Sequence, residues 1–123
     1  MVSVPARPDY IHVLRAVASS AASRLDLPFD AVEETRMAVD EASTLLLQLR
    51  TPASRFRLSI ETGDEGLRVG IATDAVVDDW PPPGVEDAWP WRVISGLSDD
   101  SRFEMSARGP GISFLKRRHG DLP

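Results

Sequence analysis

Apolar residues at Val32, Val39, Ala42, Leu46 and Leu49 recur at helical spacing, and a few positions later the pattern switches to alternation at Phe56, Leu58 and Ile60. A period of 3.6 and a period of two cannot be satisfied by one element. The chain must break between them, and Thr51-Pro52 supplies the stop. On one side lies an amphipathic helix opened by Asp30, with Glu33 three residues on in a capping-box-like pattern. On the other side lies a half-buried strand, with Arg55, Arg57 and Ser59 on its polar face. An amphipathic helix beside a half-buried strand constrains the fold, because each has one apolar face that must be covered.

The same two periods recur elsewhere. Pro8-Asp9 opens an earlier helix whose apolar face is Ile11, Leu14, Ala18, Ala21 and Leu25, with His12, Arg15, Ser19 and Ser23 opposite. Leu27-Pro28 interrupts it. After the first alternating run, Thr62-Gly63-Asp64-Glu65-Gly66 reads as a turn, and Leu67, Val69 and Ile71 return as a second strand. Trp89 to Leu97 reads as a short helix with Trp91 and Ile94 inward. Phe103 and Met105 mark a third strand, Arg108-Gly109-Pro110-Gly111 a turn, and Ile112 and Phe114 a fourth. Val2-Ser3-Val4-Pro5 alternates briefly and suits a short edge strand. Residues 74–88, with three consecutive prolines at Pro81, Pro82 and Pro83, read as an exposed lid-like loop. Strands whose apolar face needs cover, and two long amphipathic helices to cover it, predict an α+β two-layer sandwich in one domain spanning 1–123.

A formal net charge of −5 places a direct nucleic-acid binder low among the expectations. The absence of cysteine excludes disulfides and thiolate metal sites. His12 and His119 are the only histidines and lie far apart, so no metal site is expected. No apolar run reaches the ~20 residues of a membrane span, and no secretory signal opens the chain, so the expected address is the cytoplasm.

Several side chains invite a functional reading beside a plain one. Glu41 stands at the boundary of the long helix's apolar stripe, where a carboxylate can serve as a general base or simply face solvent. Trp80, Trp89 and Trp91 cluster around the prolines, either filling a gap or forming a protein-binding surface. Arg15 reads as a solvated arginine, and Lys116-Arg117-Arg118 as a solubilising basic end.

The run Arg36-Met37-Ala38-Val39-Asp40-Glu41-Ala42 and the order of elements around it resemble the anti-sigma factors of the serine-kinase type. These are small members of the GHKL superfamily, with a Bergerat-like fold. The resemblance extends over nearly the whole chain. It takes in the opening Pro5-Ala6-Arg7-Pro8-Asp9-Tyr10 before a helix carrying Arg15, and the closing Val93-Ile94-Ser95-Gly96-Leu97-Ser98-Asp99-Asp100. Trp91-Arg92-Val93-Ile94 is similar to an actinobacterial subgroup that controls stress or developmental sigma factors. The resemblance implies that Glu41 is the general base and that Asp74 recognises adenine in a Mg-ATP site. It also implies that Arg15 contacts partners, with His12 and Trp91 as further candidate partner-binding residues. The implied partners are an alternative sigma factor, an anti-anti-sigma antagonist of the STAS type, and a second copy of the chain in a homodimer.

The sequence departs from that pattern where nucleotide would bind. Leu45 stands where the family carries its magnesium-binding asparagine, and leucine cannot ligate magnesium. Asp74 is followed by Ala75-Val76-Val77-Asp78, without the glycines of the first box. The second glycine box falls at Ala88-Trp89-Pro90-Trp91, where Pro90 has no N–H to offer a phosphate. The expectation is an anti-sigma factor acting by partner switching without efficient ATP use. The alternatives are an active serine/threonine kinase using Glu41, and a fold-conserving scaffold for some other partner.

Overall fold

The alternating runs pair into one five-stranded sheet, and the helical runs line up across one of its faces. The computed structural model describes residues 1–49 and 53–118; the Thr51-Pro52 stop and His119 lie outside the described residues. In chain order the elements are β1 (Val2–Pro5), α1 (Ile11–Arg24), α2 (Phe29–Leu47), β2 (Arg55–Thr62), β3 (Gly66–Thr73), α3 (Trp89–Leu97), β4 (Asp100–Ser106) and β5 (Gly109–Arg117). The sheet order is β1-β2-β3-β5-β4, and every pairing is antiparallel. This is the expected α+β sandwich, and β1 is the expected edge strand. No helix among the described residues is long and apolar enough to cross a membrane.

Register follows from burial. Phe56, Leu58, Val69, Ile71, Ile112 and Phe114 face the helices and are buried, with Leu58 opposite Ile71 and Ile71 opposite Ile112. A slip of one residue would turn this whole set outward. From the helices come Leu14, Ala18 and Ala22 of α1, Ala38, Val39, Ala42, Leu45 and Leu46 of α2, and Ile94 of α3. Ala18, Ala22, Ala38 and Ala42 are fully buried, and small side chains let helices approach closely. Each large apolar side chain buried here contributes on the order of 1.5–3 kcal/mol.

The break between the first two helices is a left-handed cap. Asp26 has φ 58, its N–H donates to the Ser23 carbonyl, and the Leu27 N–H donates to that of Ala22. Those two bonds and the buried Leu27 make a Schellman end. The start of α2 departs from expectation. Pro28, not Asp30, precedes the first helical residue, and its carbonyl accepts from the Val32 N–H. Proline's fixed φ already suits that entry, so no side chain caps the helix and Glu33 pairs with Arg36 at 3.6 Å instead.

Two further expectations are corrected. The last turn falls at Ala107–Arg108, and Gly109, Pro110 and Gly111 belong to β5. Gly109, at φ 134, lies where a Cβ would come within 2.0 Å of the Thr73 carbonyl oxygen, so the glycine serves strand packing. Phe103 and Met105 lie in β4 as expected; Phe103 packs against the core, and Met105, near the end of that edge strand, is exposed. The 74–88 loop is not wholly exposed: Ala75 is buried, and Trp80 and Val85 pack against the core.

Candidate functional site

The residues singled out by sequence fall on two flanks of α2. On the α1 side, Arg15 Nη1 donates to Asp40 Oδ2 at 3.3 Å, so this arginine is held across the helix pair. Its Nε is buried and has no hydrogen-bond partner among the described residues. The side chain is 33% exposed, so part of it is open to solvent beside the α1–α2 face although Nε is not. Beside Arg15 runs an open groove of about 780 Å³ between α1 and α2, lined by His12, Arg15, Ser19, Phe29, Glu33 and Arg36 among others. His12 is exposed, and Phe29 at the groove's edge is 76% exposed although it starts a helix. Charges of both signs with an exposed aromatic ring suit a protein partner more than a small ligand. His12 and Arg15 are thus brought together; Asp40, the residue that holds Arg15, was not singled out from sequence. Only its position one residue before Glu41 could have drawn attention to it.

On the other flank, Glu41 is half-buried and makes no hydrogen bond or ion pair among the described residues. Leu45, one turn on, is buried in the core. Asp74 lies just past β3, and its carboxylate accepts three hydrogen bonds from the start of β2 and the residue before it. Oδ1 accepts from the Ser54 N–H at 2.8 Å and the Arg55 N–H at 3.2 Å, and Oδ2 accepts from the Ser54 hydroxyl. The Ser54 hydroxyl, followed by the two amides, holds the Asp74 carboxyl down at about 2 against an ordinary 3.8, with burial opposing in part. Asp74 therefore pins the start of β2 to the end of β3. No contact joins Glu41 to Asp74 among the described residues.

The lid-like loop is anchored on the sheet's inner face. Trp80 Nε1 donates to the Gly111 carbonyl at 3.1 Å, and its ring meets Phe103 edge-on at 5.5 Å. Trp91, from the first turn of α3, stacks on the same Phe103 at 3.9 Å. Two of the three tryptophans thus fill space against β4 and β5, while Trp89 is 72% exposed. Trp91 is accordingly separate from the His12–Arg15 groove.

Lys116 overturns the reading of the last charged run as a solubilising end. It lies on the inner face of β5, 8% exposed, and donates to Glu34 Oε1 at 3.0 Å and to the Leu97 carbonyl at 2.6 Å. One ammonium thereby ties β5 to α2 and to the C-terminal end of α3, where a cation also meets the helix dipole. Strand alternation from Ile112 and Phe114 predicts that inward position, but a lysine among arginines masks it. Arg117 and Arg118 are exposed as expected.

No family model matches the chain. It is similar to anti-sigma-F factor RsbW of Mycobacterium tuberculosis, 29% identical over 112 residues that make up 91% of this chain and 65% of that protein. It is similar also to serine-protein kinase RsbW of Bacillus subtilis, 30% identical over 73 residues, 59% of this chain and 42% of that protein. Serine-protein kinase RsbW of Bacillus licheniformis is 30% identical over 70 residues, 57% of this chain and 40% of that protein. The chain thus spans just under two thirds of the length of the mycobacterial relative, and less of the others. Its α+β sandwich of antiparallel sheet and three helices and its similarity to proteins named anti-sigma-F factor RsbW and serine-protein kinase RsbW agree with the resemblance to serine-kinase-type anti-sigma factors read from the sequence.

Proposed function

We propose that this protein is an anti-sigma factor that sequesters an alternative sigma factor and yields it to an anti-anti-sigma antagonist, without efficient use of ATP. The observation that carries the reading is the α1–α2 face. Arg15 is held there by Asp40, partly exposed beside a groove of mixed charge, in a chain similar to anti-sigma-F factor RsbW along most of its length. Two proteins competing for one such face exchange by differential affinity and need no chemistry. The acidic balance of the chain suits a basic sigma factor. A homodimer and a cytoplasmic address belong to the same reading.

The residues do not fit Mg-ATP. The Asp74 carboxylate already accepts three bonds from Ser54 and Arg55, Leu45 is buried, and Pro90 stands in the first turn of α3. Phosphoryl transfer rests almost entirely on positioning and charge stabilisation. Calorimetric titration with Mg-ATP to millimolar concentration is expected to give no heat and no thermal shift; micromolar binding would refute this part of the reading.

The partner assay is titration of the protein, and of Arg15→Ala, against a candidate alternative sigma factor. Arg15→Ala is expected to weaken binding by about tenfold or more, as loss of an interface arginine commonly does. Equal affinity for both proteins would remove Arg15 from the interface, and absence of any sigma binding would favour the scaffold reading. Glu41 supports a second reading, a kinase of the antagonist, because its carboxylate is retained, half-buried and unpaired among the described residues. Transfer of labelled phosphate to the antagonist, abolished by Glu41→Gln, would establish it.

A further inference from the structure

The helices cover only one face of the sheet, and charge is sorted between the two sides. From residue 74 to 99, the loop and α3 hold six carboxylates and one arginine. The outer face of the sheet is different. The registers place Ser59, Gly70, Ser113 and Arg102 in one row across β2, β3, β5 and β4, and Arg57, Ala72, Gly111 and Glu104 in the next. Ser113 is buried and accepts from Arg68 Nη1 at 3.3 Å, so the open floor in the middle of this face is made by Ser59, Gly70, Ala72 and Gly111. A Cβ on Gly111 would lie 3.0 Å from the Ile71 carbonyl oxygen, a backbone contact that favours glycine there, whereas one on Gly70 would meet only the movable Ser59 hydroxyl at 2.6 Å.

Over that floor runs a groove of about 260 Å³, with Arg57 and Arg108 in its walls and the exposed Met105 at its rim. Among the arginines of this side, Arg68 and Arg102 both bond to Asp100, at 3.0 and 2.9 Å. Arg55, Arg57 and Arg108 have no carboxylate partner among the described residues, although the chain carries an excess of acid. Glu104 is the one carboxylate lining the groove, and it shares the outer face of β4 with Arg102.

We infer that the uncovered outer face of the sheet is a second docking surface, which takes an acidic polypeptide segment between Arg57 and Arg108. Carboxylates of that segment meet guanidinium groups that lack carboxylate partners among the described residues, and its apolar side chains lie on the small-residue floor. A nucleic-acid backbone is the poorer occupant, because the net charge of −5 repels a polyanion at long range while a short segment with a few carboxylates meets only the local field. This surface lies on the opposite side of the sheet from the α1–α2 groove. The inference does not rest on the sigma-factor reading, and both sides can be engaged together.

The test uses the full chain and a fluorescein-labelled peptide of about twelve residues alternating glutamate and valine, a length that suits strands of this size. Fluorescence anisotropy should show saturable binding that weakens as salt is raised. The pair Arg57→Glu and Arg108→Glu should weaken it at least about tenfold, and Arg24→Glu on α1 should leave it unchanged. The neutral pair Arg57→Gln and Arg108→Gln, checked for an unaltered melting temperature, guards against loss through misfolding and should show a smaller loss in the same direction. Four results would overturn the inference: no saturable binding below about millimolar, affinity unchanged in both pairs, tighter binding of a single-stranded oligonucleotide, or self-association of the chain that both pairs abolish.

Discussion

Replacing Asp74 with asparagine separates a structural aspartate from a nucleotide-binding one. The carboxylate holds two backbone N–H groups and one hydroxyl at the junction of β2 and β3. Asparagine keeps the shape but leaves one carbonyl oxygen where two charged oxygens accepted. The gap between the ordinary 3.8 and about 2 sets an upper limit of roughly 2.4 kcal/mol, at about 1.36 kcal/mol per pH unit. Asp74 is partly exposed, and solvent screening brings the expected loss down to about 1 kcal/mol. That corresponds to a fall of about 4 °C in melting temperature for a domain of this size. The folded-state value is depressed, so the contribution is complete above the unfolded value and disappears as pH falls through the folded one. Urea titrations of the two proteins should therefore differ by about 1 kcal/mol from pH 7 down to about pH 5. The difference should narrow through about pH 4 and close near pH 2. Equal stability at neutral pH, or a gap that persists unchanged to pH 2.5, would show that the carboxylate does not clamp this junction.

Other perturbations test the remaining contacts. Lys116→Met keeps the aliphatic stem but leaves the Leu97 carbonyl without its cation, and should cost about 1–2 kcal/mol in urea melts. Its amide-exchange signature is faster exchange at the end of α3, and unchanged protection there would count against the tie. Trp80→Ala removes the bond to the Gly111 carbonyl and the contact with Phe103 from a half-buried position. A loss of about 1–3 kcal/mol and faster exchange across 76–88 are expected; a loop that exchanges at the same rate in both proteins is not anchored by Trp80. Arg15→Ala, which should matter to a partner, breaks only a half-exposed ion pair and should shift stability by less than about 1 kcal/mol.

Much of the fold was legible because its signals are periodic. Phe56, Leu58 and Ile60 gave a strand, Ala38, Val39 and Ala42 a helix face, and Trp89 to Leu97 a short helix with its limits correct. Local chemistry was less legible. Asp30 looks like a cap, but Pro28 enters the helix with its φ already set, and that competing option won. Gly109 and Gly111 look like turn residues, yet they lie in β5 because neighbouring backbone leaves no room for a Cβ. The candidate site was legible only in part. His12 and Arg15 share a face at helical spacing, so their proximity could be read directly. The partners that define the site could not be read, because Arg15 meets Asp40 and Asp74 meets Ser54 across 25 and 20 positions. Spacing along a chain carries no information about contacts set by how helices and strands pack.

The position of β1 has a consequence for how the chain folds. The β2–β3 and β4–β5 pairs are hairpins with short turns, whereas β1 pairs with β2 across α1 and α2. Joining Val2 to Leu58 closes a loop of 58 − 2 = 56 residues, and the loop-closure entropy is roughly 2 kcal/mol more than for a four-residue turn. Only four residue pairs offset it, two of them through the half-buried Val2 and the buried Val4. The first strand to be made is thus the last to dock, and the sheet opens most readily from that edge.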